Sequence, residues 1–154
     1  MKPGVFTQLI IQLVFAVKSR KGMLRKEQRE KVYSHMAVHL NNKGHKSIII
    51  NGMSDHVHVL LGLNPTISIS DTVRDLKRSS SLFINEQNWL AGKFGWQDGY
   101  GAFSYSKSDL DKVFRYIQNQ EQHHQKFNFR KEYTELLRKF EIEHDERFLF
   151  EFFE

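Results

Sequence analysis

Residues 46–63 read Lys-Ser-Ile-Ile-Ile-Asn-Gly-Met-Ser-Asp-His-Val-His-Val-Leu-Leu-Gly-Leu, two β-rich runs, Lys46 to Met53 and His56 to Leu63, parted by Ser54 and Asp55. That two-residue gap predicts a hairpin. Side chains alternate across a strand, so Val57, Val59 and Leu61 fall on one face while His56 and His58 point together from the other. Two such imidazoles lie about 7 Å apart at Cα, close enough to converge on one ion. A His-x-His pair also occurs on ordinary half-buried strands, so the pair by itself is only a candidate metal site.

Working outward, Gln8 to Val17 is an apolar run that predicts a buried strand. From Arg25 to Asn42, Val32, Met36 and Leu40 fall four apart, which predicts an amphipathic helix that Gly44 terminates. Downstream, Ser70 and Asp71 are the expected cap and first-turn acid of a second helix with Val73, Leu76, Phe83 and Ile84 on its core stripe. Gly92 to Ser104 holds four glycines and reads as irregular loop plus strand. Ser108 or Asp109 would cap a third helix, with Leu110, Val113, Phe114 and Ile117 at helical spacing. Strand, helix, strand, strand, helix, strand is the order of an α+β, ferredoxin-like split β-α-β fold. It predicts an antiparallel sheet with helices on one face, plus an added C-terminal helix that bears Tyr116.

The chain has 154 residues with 40% apolar content, enough for one core, and is read as a single domain spanning 1–154 with an acidic-aromatic tail over 141–154. Cysteine is absent, which excludes disulfides and thiolate metal sites. No apolar stretch is long enough for a bilayer and no secretory leader pattern opens the chain, so a cytoplasmic protein with no membrane partner is expected. The net charge is +5, and it is uneven: residues 1–80 carry 13 Lys and Arg against 5 acids, residues 81–154 carry 10 against 13. A basic surface for a polyanion would explain that asymmetry, although many soluble proteins are equally basic.

In the third helix Tyr116 and Gln120 are four apart and would share one face, off the core stripe of Val113 and Ile117. Together with His56-Val57-His58 they resemble the HUH single-tyrosine transposases, namely the insertion-sequence 200/605 type and the REP-associated tyrosine transposases. The resemblance extends through Gln12-Leu13-Val14-Phe15, Thr66-Ile67-Ser68-Ile69-Ser70, the stretch from Trp96 to Ser104, and Tyr116 to His124, nearly the whole chain. It implies that Tyr116 attacks single-stranded DNA near a hairpin and forms a 5′-phosphotyrosine, with His56, His58 and Gln120 holding a divalent metal. Mg²⁺ or Mn²⁺ suits the mixed nitrogen and oxygen donors in function, although imidazoles also take Zn²⁺ or Ni²⁺. His124, four beyond Gln120, is a further candidate for metal or phosphate contact, and His123 a weaker one. Tyr100 and Tyr105 are set aside as nucleophiles, Tyr100 because it sits between glycines and Tyr105 because it lacks a glutamine one turn on.

Lys18, Arg20 and Lys21, and Arg74, Lys77 and Arg78, are the expected DNA-backbone patches, with Trp96, Tyr100 and Phe103 as stacking platforms. Relatives of this kind include dimers and monomers, so a homodimer is compatible with the pattern. Two other readings remain: a domesticated protein that binds DNA or RNA hairpins without turnover, and an unrelated phosphohydrolase that uses water in place of Tyr116.

Overall fold

The computed structural model describes residues 2–153, so Met1 and the final residue of the tail, Glu154, lie outside the described residues. Strands β1 (Ile10–Ala16), β2 (Lys46–Met53), β3 (His56–Gly62) and β4 (Gly101–Tyr105) form one sheet in the order β2-β3-β1-β4, and all neighbours are antiparallel. Helix α1 (Lys26–Asn42) joins β1 to β2 across β3, and α2 (Ile69–Gln87) joins β3 to β4 across β1. This is the split β-α-β arrangement predicted from the order of elements. Among the described residues, no helix is long and apolar enough to cross a membrane.

The register decides which side chains meet. Val14 pairs with His58 and Gly101, Gln12 with Leu60 and Phe103, and Ala16 with His56. Partners directly opposite each other share a face. Ile11, Leu13 and Phe15 therefore join Val57, Val59 and Leu61 on the other face, where they bury Val32, Met36 and Leu40 of α1 and Val73, Leu76 and Ile84 of α2. The histidine face is covered by helices on the C-terminal side of β4. Helix α3 (Leu110–Gln118) packs Val113 and Ile117 on Ile10 and Leu60, a short turn α4 spans Gln120–His123, and α5 spans Phe129–Lys139. The sequence pattern did not lead us to expect α5. Its buried residues Phe129, Glu132, Tyr133, Leu136 and Leu137 follow helical spacing behind the cap Asn128, whose Oδ1 accepts from the Lys131 backbone at 2.9 Å.

One local expectation is corrected and another is refined. The cap of α2 is Ser68, whose Oγ accepts from Asp71 N–H at 3.0 Å, while Ser70 already lies inside the helix. The helix starts earlier because the Ser68 hydroxyl satisfies the otherwise unpaired backbone N–H of Asp71 in the first turn. The third helix is led in by a 3₁₀ turn over Lys107–Asp109; Asp109 stands at its cap position as expected but makes no side-chain cap bond and accepts from Ser106 Oγ at 3.2 Å. The tail docks on its own chain: Phe150 stacks against Phe129 and Tyr133, and the Gln97 side chain bonds both backbone groups of Glu151 at 2.8 Å.

The hairpin closes tightly at Gly52. A Cβ there would stand 2.2 Å from the His56 carbonyl oxygen and 2.9 Å from Val57 Cα, both backbone atoms that cannot swing aside. Gly52→Ala is accordingly expected to lower the unfolding free energy by about 1–3 kcal/mol, read from urea denaturation; an unchanged midpoint would mean that β2 and β3 separate freely.

Candidate metal centre and active site

His56 and His58 project from β3 beneath α3, α4 and α5, and both are buried. Their outer nitrogens are held by the sheet. His56 Nδ1 donates to Asp55 Oδ1 at 2.7 Å, and His58 Nδ1 lies 2.8 Å from the Gln12 amide. Gln12, fully buried on β1, in turn accepts from Tyr105 Oη at 2.6 Å. The Phe129 ring lies parallel to the His56 imidazole at 4.0 Å and fixes its plane. Both Nε2 atoms are thereby aimed inward.

They meet a carboxylate that the sequence reading did not single out. Glu132 Oε1 is 3.1 Å from His56 Nε2, 3.1 Å from His58 Nε2 and 3.0 Å from His124 Nε2. Its other oxygen accepts from Gln120 Nε2 at 2.9 Å and from the Tyr116 hydroxyl. Gln120 Oε1 is also 3.1 Å from His56 Nε2. The ligand atoms of His56, His58 and Glu132 all lie within 4.8 Å of one another, a spacing that one cation could span. The signal for Glu132 was in the sequence, because it sits three residues after Phe129 and one before Tyr133, a charge on the apolar stripe of a capped helix.

Tyr116 and Gln120 reach the same carboxylate, but not from one continuous helix. Helix α3 ends at Gln118, and Asn119 leaves helical geometry at φ −96°, ψ 28°. The cause is Asn51 on β2, whose Nδ2 donates to the Ile117 and Gln118 carbonyls at 2.9 and 3.2 Å. Those oxygens would otherwise accept from Glu121 and Gln122 in an uninterrupted helix. The break turns Gln120 inward, where it is fully buried. His124 is close to buried and contacts Glu132, whereas His123 Nε2 stands 3.5 Å from Glu132 Oε2. One chain supplies the tyrosine and both histidines.

The electrostatics reflect burial and partners. Burial opposes a proton on His56, yet the bonds to Asp55 and Glu132 outweigh it and raise its pKa to about 9. Burial keeps His58 below the ordinary histidine value despite Glu132. Burial would push Glu132 up, but His58, His124 and His56 hold it well below the carboxylate range. Tyr116 is raised, first by burial and then by the negative charge of Glu132, so its phenol stays protonated here.

The surface candidates separate. Lys77 Nζ donates to the Gln97 and Gly99 carbonyls at 2.8 and 2.7 Å and ties the loop before β4 to α2. Arg74 pairs with Asp71 and Asp75, while Arg78 is exposed. Trp96 is half-buried, donates to Ser80 Oγ at 2.9 Å and packs edge-on to Phe15 and Phe94, whereas Phe103 is buried in the interior. Tyr100 is 39% exposed. Lys18, Arg20 and Lys21 are exposed beyond β1, with Arg20 lying over the Phe153 ring at 5.8 Å.

With a buried histidine pair on the central strand and a tyrosine facing it, the molecule has the features of a single-tyrosine DNA transposase. The chain belongs to the family described as "Transposase IS200 like", which matches residues 5–120. It is 28% identical over 124 residues to the ISDra2 transposase TnpA of Deinococcus radiodurans, spanning 76% of this chain and 87% of that protein. A crystal structure described as that of a candidate transposase from Deinococcus radiodurans R1 superposes with a TM-score of 0.61 at 25% identity, covering 78% of this chain and 96% of the other. The fold is also that of a REP-associated tyrosine transposase bound to a REP hairpin, with a TM-score of 0.56 at 13% identity over 80% of this chain and 74% of that one. The HUH resemblance read from the sequence is thus upheld.

The raised His56 pKa carries a pH signature. Its stabilisation is complete below its ordinary value of 6.5 and is lost as pH rises through about 9. Glu132, held low, has the opposite sign: its contribution is present above the ordinary carboxylate pKa and fades as pH falls below it. Metal-free protein should therefore lose thermal midpoint between pH 6.5 and about 9 in scanning calorimetry with chelator, and Asp55→Asn should shrink that loss. A level midpoint across the window would contradict the assignment.

Proposed function

We propose that the chain is a metal-dependent endonuclease and strand transferase for single-stranded DNA, acting at hairpin-flanked sites in the cytoplasm with Tyr116 as nucleophile. One observation carries the reading: the Tyr116 hydroxyl, the Gln120 amide and the inward nitrogens of His56 and His58 gather on the single carboxylate of Glu132. Membership of a transposase family and a fold neighbour bound to a REP hairpin support the same substrate.

The donor set fits a divalent cation. His56 and His58 offer Nε2, Glu132 a carboxylate oxygen and Gln120 an amide oxygen, while Asp55 and Gln12 hold the imidazoles from behind. Such nitrogen and oxygen ligation is compatible with Mg²⁺ or Mn²⁺. When bound, the cation would polarise a non-bridging phosphate oxygen and neutralise charge as the phosphodiester breaks.

The remaining chemistry belongs to side chains. A phenol with a raised pKa is a weak nucleophile, and the Glu132 charge beside it keeps the proton on. Engagement of that charge by other partners eases the proton's departure. The Tyr116 oxygen then forms a bond to phosphorus while the bond from phosphorus to the 3′ oxygen breaks. The phenolic proton is balanced by the proton taken up by the released 3′-hydroxyl. The phosphotyrosine retains the ester's energy, so a different 3′-hydroxyl can reverse the step and join strands without ATP.

The discriminating test is a denaturing gel of protein incubated with Mn²⁺ and single-stranded DNA carrying hairpins. Wild-type protein should give a covalent adduct and Tyr116→Phe none. An adduct from Tyr116→Phe, or cleavage with no adduct from wild type, would replace this reading with one that uses water. Metal-independent hairpin binding without cleavage under any divalent ion would favour the non-catalytic binder.

A further inference from the structure

Beside Tyr116, on the side away from the histidines, a cleft of about 430 Å³ opens between β4, α3 and α5. Its apolar lining comes from Tyr105, Val113, Leu136 and Phe140, its mouth carries Lys112 and Lys139, and Tyr116 forms part of its wall. Tyr116 and Leu136 also line a recess of about 110 Å³ that contains Glu132 and His123. The nucleophile therefore stands at the junction of the two spaces.

We infer that this cleft receives one nucleotide of the single-stranded DNA, the one adjoining the phosphate presented to Tyr116. The inference rests on the function proposed above and names where its substrate lies. The volume falls within the range of about 300–1,000 Å³ usual for pockets that enclose a small organic ligand. The Tyr105 and Phe140 rings stand edge to face at 5.4 Å, two perpendicular aromatic walls, and a base can stack on the face of a single ring. Lys139 Nζ hovers 6.0 Å from the Tyr105 ring and 5.6 Å from that of Phe140, and Lys112 is exposed on α3 across the cleft. An apolar, aromatic floor under a cationic mouth complements a base below and its phosphates above. Asp109, also on the wall, provides an acceptor for an N–H donor on a base edge. Continuity with the tyrosine sets the occupant: a strand with a phosphate at Tyr116 must lead its next residue into a neighbouring space, and this one is shaped and charged to hold it.

The test is photocrosslinking of single-stranded oligonucleotides, a mixed-sequence pool with 5-iodouracil at successive positions, to full-length protein in Mn²⁺, followed by peptide mapping. Crosslinks at Tyr105 or Phe140 are expected. The same adducts should form with Tyr116→Phe, because occupancy does not need cleavage. Lys112→Gln combined with Lys139→Gln should weaken binding of the oligonucleotides about tenfold at low salt and reduce the slope of log affinity against log salt by about 1.4, two phosphate contacts on a single strand. Crosslinks that map elsewhere, or an unchanged salt slope in the double variant, would overturn the proposal. The two readings fail separately: a tyrosine adduct in wild type with crosslinks outside the cleft removes the nucleotide site and leaves the enzyme. Crosslinks in the cleft with no tyrosine adduct would retain the site and remove the enzyme.

Discussion

A buried carboxylate with at least five partners holds the histidine face of this molecule together. Glu132 is 2% exposed, and an ionised acid at that depth is tolerated only when charged and hydrogen-bonding groups replace the water it has lost. His56 and His58 come from β3, Tyr116 from α3, Gln120 from α4, and His124 from the loop before α5. Every element on that face of the sheet is therefore tied to one point. The arrangement orients the Tyr116 hydroxyl and, through burial and the Glu132 charge, keeps its proton on.

Fold and site differed in how far they could be read from residues. The hairpin, the division of β3 into a valine face and a histidine face, and the order of elements are local patterns of period and gap, and the structure reproduces them. Tyr116 and Gln120 do converge with the histidines. The break between them was illegible because its cause, the Asn51 amide, lies 66 and 67 residues away from the carbonyls it captures. Glu132 was obscured for another reason. Helix α5 is not among the elements that the sequence pattern predicts, and without it there is no apolar stripe on which an acid would stand out.

Charge counted along the chain does not say which cations are already engaged. The basic first half supplies Lys77 to the loop before β4 and Arg74 to two neighbouring aspartates, which leaves less free positive charge than its total suggests. The acidic second half supplies the lysines that flank the cleft beside Tyr116. Partnering in three dimensions decides which cations can meet a phosphate, and that information is absent from a running sum.

Gln12 gives the histidine pocket a freedom that a charged residue would deny it. A neutral imidazole, such as His58 with its lowered pKa, that donates from Nε2 to a carboxylate presents a bare Nδ1, whereas one that ligates a cation through Nε2 carries its hydrogen on Nδ1. A carboxylate behind His58 would enforce the second tautomer and a lysine the first. A primary amide serves both, since half a turn about its last bond exchanges donor for acceptor, and the Tyr105 hydroxyl on its far side can reverse roles with it. With this uncharged relay, a cation bound at the histidines would need a change of tautomer and an amide rotation, not a reshaped sheet.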